Sequence, residues 1–207
     1  MVEIPVKFIS SDCILLEEEI LRLKKTLIKN KPADLIGSVD ETGTTCIECI
    51  FYPIFNTLKS YKGLGDIRLY CADSLAIWLV RCMQIFNHPD ADPKLIQRLS
   101  GFMTDDNSNF VFDYIVDFWN ESGSPLSNAL RDLLTKMVSF LSLFHQDNED
   151  HITANVFQKW SSKILKTIPH TKRVFYFVIQ TLARNIDCRK ILKESPNFIE
   201  DSLAQMF

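Results

Sequence analysis

The sequence contains few of the residues that interrupt regular structure. Only 6 glycines and 8 prolines occur among 207 residues. A chain so poor in turn residues is unlike a disordered segment, a collagen or a β sandwich with many turns. Hydrophobic residues make up 46% of the chain, which is enough for a sizeable core. We therefore expect long regular elements packed around buried side chains.

Long apolar runs and export signals are also missing from the sequence. No uninterrupted apolar stretch of about 18 residues occurs, so we expect no membrane span. Residues 1–7 lack the basic start and the long apolar core of a signal peptide. The 6 cysteines fall mostly within apolar helical patterns, which indicates reduced, buried thiols. These features predict a cytoplasmic protein, with the nucleus as the alternative.

The sequence shows no recognisable catalytic or metal-binding motif. Cys46 and Cys49 have the spacing of half a zinc site, but the sequence offers no second such pair and no close pair of histidines. The motif around Gly63 and Gly65 is too short for a phosphate-binding loop. We therefore expect no enzymatic activity, no metal and no cofactor, and we interpret the paired cysteines as core residues.

Apolar residues recur at helical spacing along most of the chain. A helix capped by Ser11 or Asp12 is predicted to end near Lys29. In a second predicted helix, Pro53 causes either a kink or a split. Asp66 is suited to cap a third helix. The predicted helices cover residues 13–29, 44–61, 67–86, 93–103, 151–167 and 169–186, together with the pair described next. The prediction is an all-α fold.

Residues 109–144 read as two amphipathic helices separated by a break at residues 121–124. Gly123 can end the first helix, and Ser124 with Pro125 suits the start of the second. Such a hairpin is the unit of helical repeat proteins. We therefore predict an α-solenoid of the HEAT/armadillo type that forms one segment over residues 1–207. The apolar end of the chain, which lacks a polar cap, predicts a fragment of a longer solenoid.

Charge is distributed unevenly along the chain. Residues 151–207 contain 9 Lys and Arg but only 4 Asp and Glu, although the net charge of the whole chain is −3. At helical spacing, these basic residues could align into a ridge that contacts RNA phosphates; the alternative is an ordinary solvated surface. The candidate RNA-contact or partner-contact residues are Lys159, Lys163, Lys166, Lys172, Arg173, Arg184, Arg189 and Lys190.

Four carboxylates fall on the polar sides of the central hairpin. Asp113, Asp117 and Glu121 are spaced to share faces of the first helix, and Asp132 lies on the second. They form either an acidic strip for a basic partner or a solvated face.

A few residues of the hairpin resemble a known eukaryotic family. They are Asp117-Phe118-Trp119, the Ser-Gly-Ser break at 122–124, Asn128-Ala129-Leu130 and Arg131-Asp132-Leu133, and residues 68–79 resemble the helix upstream. The family comprises the thyroid adenoma-associated protein and its fungal counterparts, which are regulatory subunits of a tRNA ribose 2′-O-methyltransferase. Within the hairpin, Trp119, Asn128 and Arg131 are the residues that we expect packing to explain least.

The resemblance implies a long all-α scaffold that binds a small methyltransferase subunit and assists modification of the tRNA anticodon loop. No catalytic residue is implied, because the chemistry belongs to the methyltransferase subunit. The family's Arg-Arg-Leu-Ser-Ala-Gly-Leu-Pro stretch does not occur here, so the chain would correspond to an amino-terminal piece. The alternative is a generic HEAT-type adaptor for transport or cytoskeletal partners, which would share only the architecture.

Overall fold

The computed structural model describes residues 14–32, 50–63, 66–86, 93–104, 106–121, 124–147 and residue 160. Within these ranges the regular structure is helical and includes no strand, so the predicted all-α class is confirmed for this part of the chain. The helices are α1 (Glu17–Lys29), α2 (Tyr52–Ser60), α3 (Ile67–Phe86), α4 (Pro93–Thr104), α5 (Asp106–Glu121) and α6 (Ser124–Asp147).

The chain divides into two compact units. The first contains Met1–Leu99 and Ser124–Leu133, and the second contains Ser100–Gly123 and Leu134–Phe207. Each unit has buried apolar side chains of its own. In the second unit, Phe112 of α5 stacks on Trp160, with ring centroids 4.2 Å apart and planes inclined by 4°. Both rings are buried.

Helix α3 is the central element of the first unit, because α1 and α2 both pack against it. The helix has the bounds predicted from the sequence. Asp66 precedes it, and the Tyr70 backbone N–H donates to the Asp66 carbonyl oxygen at 2.8 Å. Its buried side chains are distributed around most of the helix, which is typical of a core helix. They are Ile67, Cys71, Ala72, Ser74, Leu75, Ala76, Trp78, Leu79, Cys82 and Ile85.

Among the described helices, α3 is also long and apolar enough to cross a membrane. Half of the 18-residue window that meets this criterion is buried inside the fold. Since core helices and membrane spans share the same composition, packing against α1 and α2 accounts for the apolar sequence of α3.

The start of α1 differs from the prediction. Residues 14–16 are non-helical, and Leu16 is the N-cap, with an extended backbone (φ −77°, ψ 159°). The predicted caps, Ser11 and Asp12, lie outside the described residues. Both positions are too early in the sequence to cap a helix that begins at Glu17. The Leu15 backbone N–H donates to Thr57 Oγ1 at 2.8 Å, which ties the extended segment to α2. At the helix start itself, the Leu16 backbone N–H donates to Glu19 Oε2 at 2.8 Å.

Pro53 is the second residue of α2. α2 begins at Tyr52, and residues 50–51 form part of a wider π turn. In the first helical turn the missing N–H of proline costs no intrahelical hydrogen bond. Residues 50–51 run directly into α2, so the described residues show no split at Pro53, and the choice between a kink and a split stays a prediction. The predicted helical residues 44–49 lie outside the part that the structure describes.

The remaining helices follow the predicted bounds closely. α4 begins at Pro93, and α6 begins at Ser124 with Pro125 in its first turn. The predicted break at residues 104–108 is shorter than expected, because α5 begins at Asp106. Of the predicted helices beyond residue 147, only residue 160 is described, and it is helical.

Candidate interaction surface

The predicted basic ridge lies outside the described residues and stays a prediction. This applies to all of its members: Lys159, Lys163, Lys166, Lys172, Arg173, Arg184, Arg189 and Lys190. The candidate surface that the structure does describe is on the central hairpin, where the family resemblance is concentrated.

One side of the hairpin helices supplies core residues. In α5 and α6 the buried apolar side chains are Val111, Phe112, Ile115, Val116, Trp119, Ala129, Leu130, Leu133, Leu134, Met137, Val138 and Phe140. Trp119 is only 3% exposed, so the prediction that packing explains it poorly is wrong. An indole of this size is held in place by the apolar area that it buries.

The opposite side of α6 presents a short polar row in the first unit. Asn128, Arg131 and Asp132 are exposed there, as is Pro125 at the start of the helix. Spacings of three and four residues place them on one face. The row offers amide and guanidinium donors together with amide and carboxylate acceptors. A partner that binds this face must therefore supply polar groups of matching geometry.

The carboxylates of α5 have the exposure expected from their spacing. Asp113 and Asp117 are both exposed and lie one helical turn apart. The side chain of Glu121 is outside the described part. In addition, the ordinary frequency of exposed carboxylates on protein surfaces already explains such a pair. The pair is therefore a weaker indication of a binding surface than the mixed polar row of α6.

Cys71 and Cys82 of α3 are buried and form no disulfide, as the sequence predicts. Burial removes solvation from the thiolate form and raises the pKa of Cys71 to about 12. At neutral pH this thiol is protonated and a poor nucleophile. Cys46 and Cys49 lie outside the described residues. Within the described ranges, no three His, Cys, Asp or Glu side chains lie close enough together to hold a metal ion.

The first unit also contains polar contacts that the sequence analysis missed. Arg81 Nε donates to the Leu27 carbonyl oxygen at 2.9 Å, and a second guanidinium nitrogen donates to the Ile28 carbonyl oxygen. These carbonyls belong to the last turn of α1, where intrahelical donors are lacking. Arg81 is 53 and 54 residues away from its acceptors, so no local pattern could have indicated the contact. Its role is to hold α1 on α3.

Comparison with known proteins adds no identification at this point. No protein-family model matches the chain, and no solved structure matches it.

Proposed function

We propose that the chain is a non-catalytic scaffold subunit that assists a cytoplasmic tRNA ribose 2′-O-methyltransferase acting on the anticodon loop. The proposal includes an α-solenoid of the HEAT/armadillo type, of which the chain is the amino-terminal part. Its support is the all-helical structure of the described residues and the family resemblance in α3, α5 and α6.

One observation supports the proposal most strongly: the residues of α6 that carry the family resemblance fall into a buried group and an exposed group. Ala129, Leu130 and Leu133 are buried, and the demands of the core explain them in any helical protein. Asn128 and Arg131 are exposed, so the core does not require an amide and a guanidinium at these positions. Polar residues that packing does not require are better candidates for recognition of a partner.

In this proposal the polar row of α6 contacts the methyltransferase subunit. A helix presents Asn128, Arg131 and Asp132 in a fixed order, which lowers the entropy lost when a partner binds. Arginine is frequent among the residues that dominate protein interfaces, because its guanidinium forms several directed hydrogen bonds. We expect Arg131 to contribute most of the binding free energy of this row.

Binding of the methyltransferase tests the proposal directly. The full-length gene product is purified with an affinity tag from its own cells, and the copurifying proteins and tRNA are identified. Arg131→Glu should reduce recovery of the methyltransferase at least about tenfold, which corresponds to about 1.4 kcal/mol. Arg22→Glu is the matched control, because Arg22 is an exposed arginine on α1.

The outcomes separate the proposal from its alternative. Both variants must unfold at the wild-type temperature, so that lost recovery is not caused by lost structure. Equal recovery with Arg131→Glu and Arg22→Glu would remove the polar row from the proposal. Recovery of a transport carrier or a tubulin-like protein from the wild type, without a methyltransferase, would support the generic adaptor.

The basic region is proposed to contact tRNA through its phosphates. Simultaneous replacement of Lys159, Lys163 and Lys166 by glutamate should weaken tRNA binding and flatten its dependence on salt concentration, since each phosphate contact releases counterions. A triple replacement of exposed basic residues on α1, Arg22, Lys25 and Lys29, gives the same change in charge and serves as the control.

Filter binding at a series of salt concentrations provides the measurement. We expect the first triple variant to lose more affinity than the control, by about tenfold or more, and to have the smaller salt slope. Equal losses would show that net charge alone matters, and binding unaffected by salt would contradict phosphate contact altogether.

A further inference from the structure

We draw no further inference here: the strongest candidate, the exposed apolar pair Ile14 and Leu16 in the extended segment before α1, carries nothing because nothing in the described part of the structure shows what covers it.

Discussion

Helices α1 and α3 belong to the same compact unit and pack against each other, yet they are buried in different ways. In α1 only Ile20, Leu23 and Leu27 are buried, and they form one narrow stripe. In α3 half of the 20 residues are buried, and they lie on several faces. The first helix is therefore held from one side, whereas the second is surrounded.

The two helices also differ in how much their packing depends on polar contacts. α1 depends on α3 for the Arg81 hydrogen bonds at its carboxyl end and for an ion pair between Lys24 and Asp73. The core of α3 is apolar and aromatic, and its Trp78 ring packs 5.3 Å from that of Phe51. Helix α3 is therefore the core helix of the unit, and α1 is an attached element that polar contacts orient.

The largest expected effect follows from truncating the core of α3. Leu75 is fully buried, and Leu75→Ala should lower the free energy of unfolding by about 3–5 kcal/mol, since the surrounding core relaxes only partly and a cavity is left. Leu23→Ala on α1 should cost less, about 2–3 kcal/mol, because one side of that helix is open and can relax. Chemical denaturation of the full chain, followed by circular dichroism, measures both.

Ile28→Ala is the control for side-chain truncation within α1. The Ile28 side chain is 51% exposed, so its loss should change the free energy of unfolding by about 0.5 kcal/mol or less. If Leu23→Ala were as costly as Leu75→Ala, α1 would be an equal part of the core, and the contrast between the two helices would be wrong.

Sequence patterns predict where a helix begins and ends better than they predict its contacts with distant parts of the chain. The bounds of α3 follow from a glycine-containing break before it and from His88-Pro89 after it, and both signals are local. The extended segment before α1 is hydrogen-bonded to Thr57, which lies 42 residues from Leu15, and periodicity contains no information about such a contact. Ile14, which falls within the predicted helix over residues 13–29, is instead non-helical and half exposed.

The same limit applies to the candidate surface. The spacing of α5 and α6 predicts which residues share a face, and the exposure of Asp113, Asp117, Asn128 and Arg131 agrees with it. Spacing did not show that Trp119 belongs to the core, because tryptophan occurs both in cores and at interfaces. Separating packing from recognition required the burial of each side chain.

A smaller effect is expected from removing the guanidinium that holds the end of α1. Arg81→Met keeps the apolar stem but leaves the Leu27 and Ile28 carbonyls without this donor. Hydrogen bonds to a charged group contribute about 1.5–3 kcal/mol, and partial exposure places the expected loss near the lower end. Hydrogen exchange should accelerate at the amides of the last turn of α1, including Asn30, whose N–H donates to Thr26.

Gln84→Ala is the matched control for Arg81. Gln84 accepts a hydrogen bond from Arg81 Nη1 at 3.0 Å but does not contact α1 through that bond, and its side chain is exposed. We expect a loss of about 0.5 kcal/mol or less and unchanged exchange in α1. Faster exchange throughout α3 in Arg81→Met would indicate that the arginine stabilises the core itself. That result would contradict the interpretation that Arg81 only holds α1 on α3.

The smallest expected effect concerns the ion pair between Lys24 and Asp73, whose Nζ and Oδ2 atoms are 3.0 Å apart. The two side chains are 25% and 40% exposed, so water screens their attraction and the pair should contribute only about 0.2–1 kcal/mol. A double-mutant cycle with Lys24→Ala and Asp73→Ala isolates this coupling from the other effects of each substitution. The coupling should shrink further at about 1 M salt, where the screening length is about 3 Å. A coupling that exceeded the cost of Arg81→Met would show that this pair and not Arg81 is the principal polar attachment of α1. A coupling that salt left unchanged would contradict a pair screened by water.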